Sequence, residues 1–76
     1  METEVFLGSI NDVKTFVNIV NRYNCDVDMV SGRYTIDAKS IMGIFSLDLT
    51  KPITLKTSDS EEAKALIKEL DKFIVA

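Results

Sequence analysis

The sequence predicts an α+β fold of the α/β open-faced sandwich type, in which helices cover one face of a four-stranded antiparallel sheet and the other face is left to solvent. Three observations lead there. Two long segments, 12–23 and 60–74, repeat apolar residues every three or four positions. Four short segments, near 3–7, 25–30, 33–38 and 53–57, carry strand formers or alternate with a period of two. The 76 residues suffice for one small domain, 1–76, and chains of this size bury only about 60% of their unfolded surface, so one shared core is the economical solution.

Taken in order, TEVFL at 3–7 is a short strand rich in β-branched and aromatic residues. Residues 9–12 offer several capping side chains, and Val13, Phe16, Val17, Val20 and Tyr23 then form the apolar stripe of an amphipathic helix with Asn18, Asn21 and Arg22 on its wet side. The period next drops to two. Cys25, Val27 and Met29 alternate with Asp26 and Asp28, and Tyr34, Ile36 and Ala38 alternate with Thr35 and Asp37. Gly32 between the runs can take a positive φ without steric cost, so the pair is a β-hairpin. After a short helix over 40–47 and a break at 50–52, ITLKT at 53–57 is the fourth strand. Ser58 and Glu61 have the spacing of a capping box. Behind them Ala63, Leu66, Ile67, Leu70, Phe73 and Ile74 make the stripe of the last helix. The order is β-α-β-β-α-β-α.

Composition removes several function classes. Net charge is −3 with no basic run, which leaves nucleic acid no electrostatic footprint. No apolar stretch approaches the ~20 residues of a membrane span, and the acidic start predicts no signal peptide, so the expected location is the cytoplasm. The one cysteine, Cys25, cannot form an internal disulfide and reads as a small apolar strand residue. Histidine is absent, which removes the commonest general base and neutral metal ligand. No metal site, cofactor or enzymatic activity is expected. Asp26, Asp28 and Asp37 read as a solvated strand face rather than as a cation site.

The stretch DAKSIMGIFSLDL, residues 37–49, carries more apolar residues than a short helix can bury. On a helical wheel starting at Ser40, Ile44 and Leu47 fall on one side, and Ile41, Met42, Phe45 and Leu49 cluster on another. One set should pack into the domain. The other should form a surface patch rimmed by Lys39, Ser46 and Asp48, the arrangement of a binding site. The plainer reading is that the 50–52 loop and the long helices cover both sets.

The run Lys39-Ser40-Ile41-Met42-Gly43, continuing Ile44-Phe45-Ser46-Leu47, resembles the regulatory-serine motif of HPr, the phosphocarrier of the bacterial sugar phosphotransferase system. The β-α-β-β-α-β-α order matches the same HPr-like fold, and residues 16–47 align without a gap. The resemblance implies that Ser40 corresponds to the serine phosphorylated by a dedicated HPr kinase. It implies that Ile41, Met42 and Phe45 correspond to exposed side chains pressed against protein partners, among them a transcriptional regulator. It also implies that Ile44 and Leu47 correspond to buried positions.

One departure is plain. The family carries its phosphoryl group on a histidine in a G-I-H-A-R-P loop at the start of the first helix. Here the region reads Leu7-Gly8-Ser9-Ile10-Asn11-Asp12-Val13. The gapless register puts Ser9 at the histidine, whereas matching the isoleucine puts Asn11 there. Neither register supplies an imidazole or the arginine, and Asp12 would repel a phosphoryl group. The pattern is similar to the Crh-type branch, which lacks the histidine and keeps the serine. Ser9 itself reads as a helix cap, having no base near it in sequence.

The expectation is a non-catalytic regulatory module that docks a protein partner through Lys39, Ile41, Met42 and Phe45 and is switched at Ser40. The alternatives are an HPr-fold interaction or structural module with no phosphate chemistry, and a phosphocarrier using another residue.

Overall fold

The computed structural model describes residues 1–75 and contains β1 (Glu2–Val5), α1 (Ile10–Val20), β2 (Val27–Ser31), β3 (Tyr34–Asp37), α2 (Ile41–Phe45), β4 (Ile53–Thr57) and α3 (Glu61–Glu69), followed by a 3-10 turn at Asp71–Phe73. The strands form one antiparallel sheet in the order β1-β4-β2-β3.

The pleat sorts the sheet residues into two faces. Cross-strand register aligns Thr3, Leu55, Met29 and Ile36 in one row, with Val5 and Ile53 beside them. This is the face whose apolar side chains are buried or half-buried. The opposite row, Glu2, Lys56, Asp28 and Asp37, is exposed. Since only one face is buried, the helices share it, as the strand pattern predicts. Phe16 of α1 and Phe73 meet edge to face there, with ring centroids 6.0 Å apart, in the same buried cluster as Leu66 and Leu70.

Several boundaries differ from expectation, each for a local reason. Strand β1 stops at Val5, and Leu7 enters the core from the following loop. Helix α1 begins at Ile10 because Ser9 is its cap, and it ends before Tyr23, whose ring lies half-buried in the turn beyond. Cys25 precedes β2 but is buried. The Ser58–Glu61 capping box does not form. Ser60 is the N-cap instead, its Oγ accepting from the Ala63 amide at 3.1 Å.

The last helix does not run to residue 74. It ends at Glu69, and the chain turns so that Ile74 bridges to Val5 on the outer side of β1. The Phe6 amide donates to the Phe73 carbonyl at 2.8 Å, and the Val75 amide donates to the Glu4 carbonyl at 2.9 Å. The tail thus covers an edge that would otherwise be open.

The hairpin turn is Gly32-Arg33, closed by the Ser31–Tyr34 pair. Gly32 has φ +60, and no non-glycine residue has a positive φ among the described residues, which is the pattern of a type II′ turn.

Candidate functional site

Two regions carry the predicted site residues: the turn from β3 into α2, and the start of α1. Strand β3 delivers the chain to Asp37, whose Oδ1 accepts from the Lys39 amide at 2.9 Å. Its carbonyl accepts from the Ser40 amide at 3.0 Å. This tight turn sets Ser40 in an extended conformation, as an N-cap requires, and Ser40 Oγ accepts from the Gly43 amide at 3.1 Å. Helix α2 is little more than one turn, so Ile41 and Met42 lie within a turn of Ser40 and Phe45 a little beyond one.

Burial divides the short helix. Ile44 is fully buried and Leu47 nearly so, whereas Met42 is 76% exposed and Phe45 40%. Ile41 and Leu49 are half-buried against the core, so the outward patch is narrower than the wheel suggests. Met42 and Phe45 are its exposed centre, with Ser40 open beside them and Lys39 half-buried.

Two contacts hold this region that the sequence did not disclose. Asn21, expected only to face water, caps the end of α1 by donating Nδ2 to the Val17 carbonyl at 2.9 Å, and it reaches toward the Lys39 carbonyl at 3.5 Å. Ile36 of β3 lies under Gly43, its Cδ1 3.3 Å from where a Cβ would stand. Beyond α2, the Asp48 carboxyl is held below the usual carboxylate range, chiefly by the Thr50 hydroxyl at 2.6 Å and then by the Thr50 amide at 3.0 Å.

At the start of α1 the structure is that of a closed helix cap. Ser9 Oγ accepts from the Asp12 amide at 3.1 Å, and Asp12 Oδ2 accepts from the Gly8 amide at 3.2 Å. The carboxylate occupies an amide that could otherwise meet an anion. Asn11 is exposed in the first turn, behind Ile10, which is 63% exposed. Among the described residues, neither Ser9 nor Asn11 has a base hydrogen-bonded to it. Among the described residues no group of three or more histidine, cysteine, aspartate or glutamate side chains could hold a metal ion. No helix among them is long and apolar enough to cross a membrane.

A family model described as "PTS HPr component phosphorylation site" matches residues 12–75, beginning after both Ser9 and Asn11. Solved structures agree over almost the whole chain. The phosphocarrier protein HPr of Bacillus anthracis superposes with a TM-score of 0.72 at 29% identity, covering 96% of this chain and 93% of that one. HPr-C-His of Thermoanaerobacter tengcongensis gives 0.74 at 21% identity, covering 95% and 92%. Crh of Bacillus subtilis gives 0.66 at 23% identity, covering 100% and 90%. The curated proteins contain no sequence match.

Proposed function

The chain belongs to the HPr family, and on that premise we propose that it is a non-catalytic regulatory docking member related to the bacterial sugar phosphotransferase system. It works in the cytoplasm, without a phosphocarrier role. Its partner is a protein, bound through Met42 and Phe45 with Ile41 and Lys39 at the margin, and phosphorylation of Ser40 switches that contact. An HPr-type serine kinase and a transcriptional regulator are the partner classes that the family membership suggests.

The observation that carries this reading is the division of α2: two large apolar side chains, two and five residues beyond an exposed serine, face outward, while Ile44 and Leu47 hold the helix down. The chain contains no histidine, and Ser9 and Asp12 are committed to capping α1. Both facts speak against phosphocarrier chemistry. A phosphoryl group on Ser40 adds a charge of about −1.5 to −2 at the edge of the patch, so a partner with arginines gains and one with carboxylates loses.

A second reading has its own support. Ser40 Oγ already accepts from Gly43, and capping alone accounts for a serine there. The chain is then a docking module without phosphate.

The test is intact mass after separate incubation with an HPr-type serine kinase and with the enzyme that phosphorylates HPr on histidine. Phosphorylation by the first alone, abolished by Ser40→Ala and untouched by Ser9→Ala, is the expected result. An unmodified chain under conditions that fully modify an ordinary HPr sinks the switch. Labelling by the second enzyme sinks the loss of the carrier role.

A further inference from the structure

We infer that β3 is a self-association edge, at which two copies of this chain pair antiparallel about Thr35 to form one continuous eight-stranded sheet. The sheet has two edges. The β1 edge is closed by the chain's own tail, through the Val5–Ile74 bridge and the hydrogen bonds between Phe6 and Phe73 and between Val75 and Glu4. The β3 edge is left open among the described residues, with no element beyond it in the sheet.

Its hydrogen-bonding phase is set by the hairpin. A two-residue turn makes Ser31 and Tyr34 the closing hydrogen-bonded pair, and the pattern then alternates along the ladder. Tyr34 and Ile36 therefore direct their backbone groups toward β2, while those of Thr35 and Asp37 point out of the sheet. The Asp37 carbonyl also accepts from Ser40, which leaves Thr35 as the natural centre of a second ladder.

The edge is complementary to itself in that register. Antiparallel pairing about Thr35 sets Thr35 against Thr35, and Tyr34 of each copy against Ile36 of the other on the helix-covered face. It also sets Arg33 of each copy against Asp37 of the other. Tyr34 is 69% exposed and Ile36 half-buried, so an aromatic side chain now in water gains an aliphatic neighbour. Arg33 and Asp37 are both exposed, and neither makes a side-chain ion pair among the described residues. Slipping the register by one residue puts Tyr34 against Asp37 and mixes the two faces of the sheet, so the parity of the pleat excludes it, and the Arg33–Asp37 pairing favours the Thr35 centre over a slip of two. Charge complementarity designates a second copy as the occupant. With only four residues in the strand, association is weak and reversible.

Sedimentation equilibrium of the full chain, taken to millimolar concentration, tests this. The expected result is an average mass that rises with concentration toward that of a dimer. Thr35→Pro removes an outward amide without breaking the β2–β3 ladder, so it should abolish the rise and leave the circular dichroism unchanged. Arg33→Glu and Asp37→Lys place like charges opposite each other in their own dimers, and each should weaken association at least about tenfold. An equimolar mixture of those two variants restores both attractive pairs and should recover wild-type association. A strictly monomeric chain overturns the proposal, as does association unaffected by Thr35→Pro. If that variant fails to fold, the mixing result decides: no recovery on mixing overturns it equally.

Discussion

Ser40 and Gly43 are fitted to one another: the glycine amide donates to the serine Oγ at 3.1 Å, and a Cβ on residue 43 would stand 3.1 Å from that same oxygen. The position is free of positive-φ strain, so the constraint is one of space alone.

Gly43→Ala therefore sets two opposed effects of similar size against each other. Alanine gains roughly 1 kcal/mol of helix propensity, and crowding the Ser40 cap costs up to about the same. The neighbouring Ile36 Cδ1, 3.3 Å from the new methyl, is the end of a flexible side chain and can move aside. Urea unfolding should show a net change within about 1 kcal/mol. A loss above ~2 kcal/mol would mean that the serine oxygen cannot yield.

Truncations along α2 should separate its two faces. Leu47→Ala and Ile44→Ala each remove a buried side chain and should cost about 2–5 kcal/mol in denaturant unfolding. Met42→Ala removes one that is mostly in water and should change stability by less than about 0.5 kcal/mol. Equal losses at Leu47 and Met42 would contradict a divided helix.

Tyr23 should give the fold an alkaline sensitivity. Its hydroxyl donates to Glu69 Oε1 at 2.6 Å, and that bond, ahead of desolvation and the nearby carboxylate charge, raises the phenol above its ordinary value of 10.0. A folded-state value above the unfolded one means that the contribution is complete below the unfolded pKa. It is lost as pH rises through the folded one. Thermal melts of wild type should fall more steeply above pH ~10 than those of Tyr23→Phe, and parallel curves would refute the assignment.

Asp48 should act in the opposite sense. Its carboxyl is held below its ordinary value of 3.8 by the Thr50 hydroxyl and amide. The contribution is therefore present above the unfolded value and lost as pH falls through the folded one. Asp48→Asn should flatten part of the acid limb of the stability curve while leaving the alkaline limb unchanged. A carboxyl resonance titrating at or above 3.8 in the folded protein would count against the Thr50 contacts.

The sequence by itself determined the order of elements, the pairing of helices with one sheet face, and the division of α2 into Ile44 and Leu47 against Met42 and Phe45. Those properties follow from periodicity, because a side chain's direction repeats every 3.6 residues on a helix and every two on a strand. Helix ends were less legible, because adjacent serines compete for one cap. Ser58 and Ser60 both have the chemistry, and the path of the chain from β4 selects Ser60.

Tertiary structure alone decided the fate of the tail. The stripe of 63–74 continues past Leu70, yet Phe73 packs against Phe16 and Ile74 joins the sheet edge at Val5. Backbone groups of β1 left without partners are satisfied by the chain end, a long-range gain that local periodicity does not encode. The same holds for Asn21 beneath Lys39, 18 residues apart, and for Ile36 under Gly43, which the turn from β3 into α2 brings together: each is a contact between separate elements. Local pattern specifies which way a residue faces. Only the packing of the elements specifies what it meets there.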